Sequence, residues 1–203
     1  MNKLVIIGSG GQGKVVADIA DKNGYTDIVF LDDDPKAEKC GSYKVVGKCS
    51  EAANYKDADF VVAIGNARVR RKIQEELMGL GLHITSLVHP AAVLASNVKI
   101  GVGTVVVAGA VINPNAEIGQ GCIINTCASV DHDCRIGDYV HVSVGARVAG
   151  TVTVGNNTMI GAGAVIINNI DVISDCCIGA GATVIKNIKE PGTYVGTPAR
   201  RIK

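Results

Sequence analysis

Tryptophan is absent from this 203-residue chain, and aromatic residues make up only 3% of it. Single-strand nucleic-acid binders stack bases on such rings, so the shortage argues against that class. An excess of charge is missing too. Twenty lysines and arginines face 19 acids, a net charge of +1, where a protein that neutralises phosphates would be distinctly basic. The seven cysteines contain no CxxC: Cys122 and Cys127 are five apart and Cys176 and Cys177 are adjacent, which fits no zinc-binding spacing. No apolar run approaches a membrane span, and the one in MNKLVIIG is too short for the core of a secretory leader. Together these gaps predict a reduced, cytoplasmic protein with no metal, no membrane span and no nucleic-acid partner. Its thiols would pack as small apolar side chains.

What the chain does have is 47% hydrophobic residues and 25 glycines, and a repeat accounts for both. From Val88 to Val184 every sixth residue is Ile, Leu or Val without interruption, through Ile100, Ile112, Ile124, Ile136, Val148, Ile160 and Val172. The fourth residue after each is small or aliphatic, a column that takes in Cys122, Cys134 and Cys176. The third is mostly Gly, Asn or Asp, as at Asn97, Gly103, Gly109, Asn115 and Gly121, types that tolerate a left-handed corner. Each hexad therefore reads as a short strand and a turn. Gly101, Gly119, Gly137 and Gly155 recur at intervals of 18, so three hexads make one coil of a triangular prism. About six such coils at roughly 4.8 Å each would stand on the order of 27 Å tall.

The preceding residues have another rhythm. LVIIG, DIVFLDDD and DFVVAIG read as buried strands, and KVVADIADKNG and NARVRRKIQEELMGLG as helices ended by glycine. Such alternation implies a small parallel sheet covered by helices, with Pro35 and the stretch 40–50 as a connection. The expected division is a Rossmann-like domain over 1–87, the prism over 88–189 and a C-terminal tail over 190–203. Gly8, Gly10 and Gly13 form GxGxxG between the first strand and helix, with Asp32 and Asp33 about 20 residues on. Such a loop lets a diphosphate approach a helix N-terminus while an acid takes ribose hydroxyls. Too few residues follow for the second half of a dinucleotide fold, so a nucleotide carrying one sugar fits better than NAD. A glycine turn serving only helix–sheet packing is the simpler alternative.

Of the four histidines, His83 and His89 have no neighbour that suggests chemistry. His132 falls at a prism corner, with Pro114 one coil below and Gly150 one coil above. An imidazole between such compact neighbours stands proud of the surface. His141 follows nine residues later, half of an 18-residue coil, and so points away from His132. The two can share a site only between two chains. The segment IGAGA occurs at 160–164 and again at 178–182, which stacks two bare corners against which a slender chain could lie. Arg200 and Arg201 are candidates for phosphate contacts.

These motifs, from the glycine loop through the hexads to GTPARRI, resemble the hexapeptide-repeat acyltransferases. The branch in question comprises UDP-4-amino-sugar N-acetyltransferases of the bacillosamine pathway and proteins assigned as sialic acid O-acetyltransferases. The resemblance implies a left-handed parallel β-helix after the Rossmann-like domain, acetyl-CoA as co-substrate, and a homotrimer with active sites between subunits. It places Gly10, Gly11, Gln12, Asp32, Asp33 and Gly65 around a nucleotide sugar, Gln12 standing where the best-known members have histidine. It makes His132 the general base, tuned by Asp133 with Asp131 as substitute, and assigns His141, Ala162 and Ala180 to acetyl-CoA. The implied reaction is N-acetylation of a UDP-linked amino sugar. O-acetylation of a sialic acid remains open, as does a non-catalytic nucleotide-sugar-binding scaffold. Asp133 also sits in a corner column with Asn97, Asn115 and Asn169, where backbone geometry alone would favour it.

Overall fold

The computed structural model describes residues 3–203 and divides at Pro90 into two compact units. The first is built on a six-stranded sheet. Its strands are β1 (Lys3–Ile7), β2 (Asp27–Leu31), β3 (Lys39–Cys40), β4 (Tyr43–Gly47), β5 (Asp59–Val62) and β6 (His83–Ile84), in the order β3-β4-β2-β1-β5-β6. All neighbours are parallel except β3 and β4. The stretch 40–50, expected as a connection, thus supplies a hairpin to the sheet edge and the start of a 3-10 helix, Cys49–Tyr55. Strand β1 is almost wholly buried because helices cover both faces, which is why LVII is a continuous apolar run rather than an alternating one. Helix α1 (Gly11–Lys22) buries Val16, Ile19 and Ala20, and ends before Gly24 at φ +87. Helix α2 (Ala67–Gly79) starts on Asn66, whose side chain accepts from the Val69 amide at 3.1 Å, and ends before Gly81 at φ +73.

Gly8 and Gly13 are fixed by contact. A Cβ on Gly8 would lie 2.9 Å from Ile64, and one on Gly13 would strike the Gly8 carbonyl and the Phe30 ring. The loop between β1 and α1 closes only with glycine at both ends.

The second unit is the prism. One face stacks Val105–Val106, Ile123–Ile124, His141–Val142, Met159–Ile160 and Cys176–Ile178. The next stacks six strands from Val93–Leu94 to Thr183–Val184, and the third five from Lys99–Ile100 to Asp171–Val172. Every pairing is parallel and 18 residues apart, as the repeat predicts. The inward column Val106, Ile124, Val142, Ile160 and Ile178 is fully buried, each side chain contributing about 1.5–3 kcal/mol.

Corner residues fall into two kinds. From Asn97 to Gly181 the third residue of every hexad adopts positive φ whatever its type, including Cys127 (+54), Tyr139 (+58) and Thr151 (+60) beside the expected glycines and asparagines. Gly101, Gly119, Gly137 and Gly155 do not; they are small because the next coil is close. A Cβ on Gly119 would sit 2.7 Å from the Gly137 carbonyl carbon. The stretch 190–203 closes the stack instead of trailing from it. Gly192–Val195 pairs with Cys176–Ile178, and Arg200–Arg201 folds back antiparallel upon it.

Candidate active site

Strands β1, β2 and β5 are parallel neighbours, so the segments that follow them share one sheet edge. Their order runs from β1 to β2 on one side and to β5 on the other, a reversal whose crevice is the usual ligand position in such sheets. Gly10, Gly11, Gln12, Asp32, Asp33 and Gly65 therefore gather at that edge. Cβ atoms added to Gly10, Gly11 or Gly65 would meet nothing within 4 Å, so the backbone here is bare and approachable. The Gln12 side-chain nitrogen is buried and has no acceptor among the described residues.

Asp32 and Asp33 hold the loops together. Asp32 Oδ2 accepts from the Ser9 amide at 2.7 Å and hydroxyl at 2.6 Å, and Oδ1 from the Asp34 amide at 2.9 Å. Burial pulls this carboxyl up, but the bonds from Ser9, Asp34 and Asp33 outweigh it and hold it below the usual range. Asp33 accepts from the Cys49 amide at 2.9 Å. Beside it opens a cleft of about 410 Å³ lined by Ile7, Cys49, Val69, Ile73 and Leu77 among others. Sequence reasoning missed Arg70, which looks like one cation of an amphipathic helix. It is 1% exposed, and its guanidinium donates to the carbonyls of Ile64 at 2.7 Å and Gly65 at 2.9 Å, fixing the third loop from beneath.

His132 stands at the corner between the second and third prism faces. The corner is set by Asp133 N donating to Pro114 O below and Thr151 N to His132 O. The imidazole is about half exposed, and its Nδ1 lies 2.8 Å from Asp133 Oδ2. A carboxylate only accepts, so Nδ1 carries the proton and Nε2 the lone pair. The Asp133 hydrogen bond raises the imidazole's affinity for a proton above its ordinary value, slight desolvation opposing and the charges of Asp131 and Asp133 assisting. Asp133 is held low by its bonds from His132 and Asn115. Asp131 does not touch the ring; its Oδ1 accepts from the His132 amide at 2.7 Å. The ring lies over Gly150, where a Cβ would come within 2.5 Å of Nε2. Cys134, two residues on, points into the core, where burial pushes its thiol up.

His141 lies on the first face, in the strand that leads to its corner with the second. Its Nε2 is 3.1 Å from the Asn125 amide nitrogen, whose oxygen is turned away to accept from the Thr126 amide at 2.8 Å. Ala162 and Ala180 are exposed on the same corner, two and three coils above Asn125, roughly 10–14 Å along the prism. Gly163 and Gly181 beside them have open space where a Cβ would be. One prism therefore carries two clusters on the two edges of one face, His132 with Asp133 and His141 with the bare corner. Arg201 belongs to neither: it is tied to Glu190 at 2.8 Å and to the Pro191 carbonyl at 3.0 Å. Among the described residues no cluster of side chains would hold a metal, and no helix is long and apolar enough to cross a membrane.

Residues 3–77 match the PglD N-terminal domain family. A UDP-N-acetylbacillosamine N-acetyltransferase of Bacillus subtilis (strain 168) is 38% identical over 114 residues, 53% of this chain and 52% of that protein. The match thus spans about half the length of this curated relative. Among solved structures, the acetyltransferase domain of PglB from Neisseria gonorrhoeae FA1090 in complex with acetyl coenzyme A is 38% identical, with a TM-score of 0.96 over 100% of both chains. PerB from Caulobacter crescentus, in complex with CoA and GDP-perosamine, is 33% identical, with a TM-score of 0.95 over 100% of this chain and 98% of that one. The chain belongs to the hexapeptide-repeat acyltransferases, in the branch that begins with a PglD N-terminal domain. Its fold is accordingly a Rossmann-like unit followed by a left-handed parallel β-helix.

Proposed function

We propose that this protein transfers acetyl from acetyl-CoA to the amine of a nucleotide-linked sugar, a UDP-4-amino sugar in our reading. The observation that carries the proposal is the His132–Asp133 contact, which leaves a basic nitrogen at an exposed corner. The relatives' names favour an amine over a sialic acid hydroxyl. In the reaction the amine nitrogen attacks the thioester carbonyl. Its N–C bond forms, its proton passes to His132 Nε2, and the C–S bond breaks as coenzyme A leaves to take up a proton. Asp133 stabilises the imidazolium formed on the way. Cys134, the cysteine nearest His132 in sequence, faces the core and is not available as an acetyl carrier.

The first unit holds the nucleotide. Gln12 offers an amide donor lacking an acceptor, α1 offers its N-terminal amides to the diphosphate, and the cleft beside Asp33 is wide enough for a base. The bare corner at Ala162 and Ala180 takes the pantetheine arm of acetyl-CoA, with His141 toward its thioester end. Because His132 stands at the corner of the second and third faces and His141 on the first face, a complete site needs a second copy. The third face carries Lys99, Glu117, Arg135 and Asp171 outward, whereas the strands of the second present Val93, Val111, Ser129, Val165 and Thr183, with Arg147 the one charge among these strand positions. A homotrimer packed on the second face brings the His132 edge of one subunit to the His141 edge of the next. The unpaired thiols fit a reducing cytoplasm.

Screening acetyl-CoA with UDP-4-amino sugars, GDP-linked amino sugars and sialic acids, with free thiol as readout, tests the proposal. Release is expected with a nucleotide amino sugar; release only with a sialic acid would reassign the acceptor to oxygen. In the same assay Asp32→Ala should raise KM for the sugar far more than for acetyl-CoA, since both Ser9 contacts are lost with the carboxylate. Equal effects on the two substrates would remove the nucleotide from this edge.

A further inference from the structure

We propose that Asn115, one coil below the catalytic corner, is a positioning residue that holds the Asp133 carboxylate in the rotation that serves His132. The inference takes from the proposed function only the role of the His132–Asp133 pair. Asn115 Nδ2 donates to Asp133 Oδ1 at 3.1 Å while Oδ2 of the same carboxylate faces His132 Nδ1. Both oxygens are thus engaged, on opposite sides, and the side chain has no remaining rotation. The Asn115 amide is itself oriented from below, its oxygen accepting from Asn97 Nδ2 at 3.2 Å. The ladder runs in one direction, amide to amide to carboxylate through residues one coil apart, and then to the adjacent imidazole. A parallel rung lies beside it: Asn113 Nδ2 donates at 2.7 Å to Asp131 Oδ1, the atom that receives the His132 amide.

Physical reasons make the anchor necessary. Asp133 and His132 are adjacent in sequence and each is about half exposed, and an exposed pair of this kind holds its geometry weakly on its own. Untethered, the short carboxylate would turn to water for much of the time. The groups around the imidazole leave no substitute. Asp131 and Asp133 are the charges on its own corner, Asp131 is turned to the backbone, and the coils packed below and above present Asn113, Pro114, Asn115, Gly150 and Thr151, none of which titrates.

The competing explanation is that Asn115 merely suits its corner, since it has φ +61 and asparagine tolerates that conformation. Asn115→Gly separates the two, because glycine keeps the corner and removes the amide. Asn169→Gly, in the same corner column at φ +59 and two coils above Asp133, is the matched control. The measurement is the titration of the His132 ring by NMR in the full-length protein, alongside melting temperature. Asn115→Gly should lower the His132 pKa toward its ordinary value, while Asn169→Gly leaves it in place. In the acetyl-transfer assay the acid limb should move to lower pH and kcat should fall about 3- to 10-fold, with KM for acetyl-CoA unchanged. An unchanged His132 titration in Asn115→Gly overturns the proposal whatever the activity, and so does an equal fall in Asn169→Gly. A selective fall in a protein that transfers no acetyl group supports the positioning role and counts against the acetyl-transfer reading alone.

Discussion

His132→Ala is expected to lose about 10²–10⁴ in kcat, the usual contribution of a positioned general base. Its fold and assembly should be unaffected. The imidazole is half exposed at a corner whose chain path is set by main-chain bonds to Pro114 and Thr151, so truncation opens no core cavity. KM for acetyl-CoA should hardly change, because the cofactor is assigned to the other edge of the face. Light scattering should show the same oligomer as the parent. Asp133→Asn, which keeps a residue suited to φ +57, should be milder. The sign of its pH effect follows from the direction of the shift. His132 must be neutral to accept a proton, so the rate rises with pH through its raised pKa. Removing the carboxylate charge lowers that pKa and moves the acid limb to lower pH. A shift to higher pH, or an unmoved limb, would mean that another group sets the profile.

Gly150→Ala is the second large effect, and the less obvious one. Gly150 is buried beneath the imidazole, and the added methyl would stand 2.5 Å from Nε2 and 2.7 Å from Cε1. Real contacts of that length do not occur, so the ring must move. It can do so cheaply, because it is exposed and flexible, and Gly150 itself does not have the left-handed backbone that resists alanine. Stability should therefore be nearly unchanged. Activity should not, since the atom displaced is the nitrogen assigned to take the proton. A misplacement of about 1 Å at a reacting centre can cost on the order of 10²-fold in rate. The checks are kcat beside the melting temperature. A stable variant with near-parental turnover would mean that Nε2 is not the acceptor.

How far these sites could be read from the sequence depends on the kind of interaction. The hexads specified the prism because burial repeats every sixth residue and a coil every 18, while its left hand came from the family resemblance and not from the periods. His132 could be placed at a corner between Pro114 and Gly150 by counting alone. Counting could not show that Gly150 is the floor under its ring, because that requires the rotamer. Asn115 was visible as a corner residue, and the turn preference that explains it conceals its second contact with Asp133. Asn113 and Asn125 each follow an inward aliphatic residue, outside the corner column, and carry no motif. In the first unit the glycine loop was legible as a motif. Ser9, which binds Asp32, and Arg70, which binds two carbonyls from inside, carry no motif. A buried arginine on a helix reads as a surface cation until the carbonyls it faces are known. The closing strand at 192–195 lies beyond the last hexad and lacks the repeat that would have announced it.

The most direct test of the account is the chemical identity of the product. Purified protein with acetyl-CoA and a UDP-4-amino sugar would be analysed by mass spectrometry and NMR, in parallel with His132→Ala. The account predicts a sugar acetylated on its amine nitrogen, one free coenzyme A per product, and almost none of either from the His132→Ala protein. An acetyl ester, free thiol without acetylated sugar, or equal product from His132→Ala would contradict it.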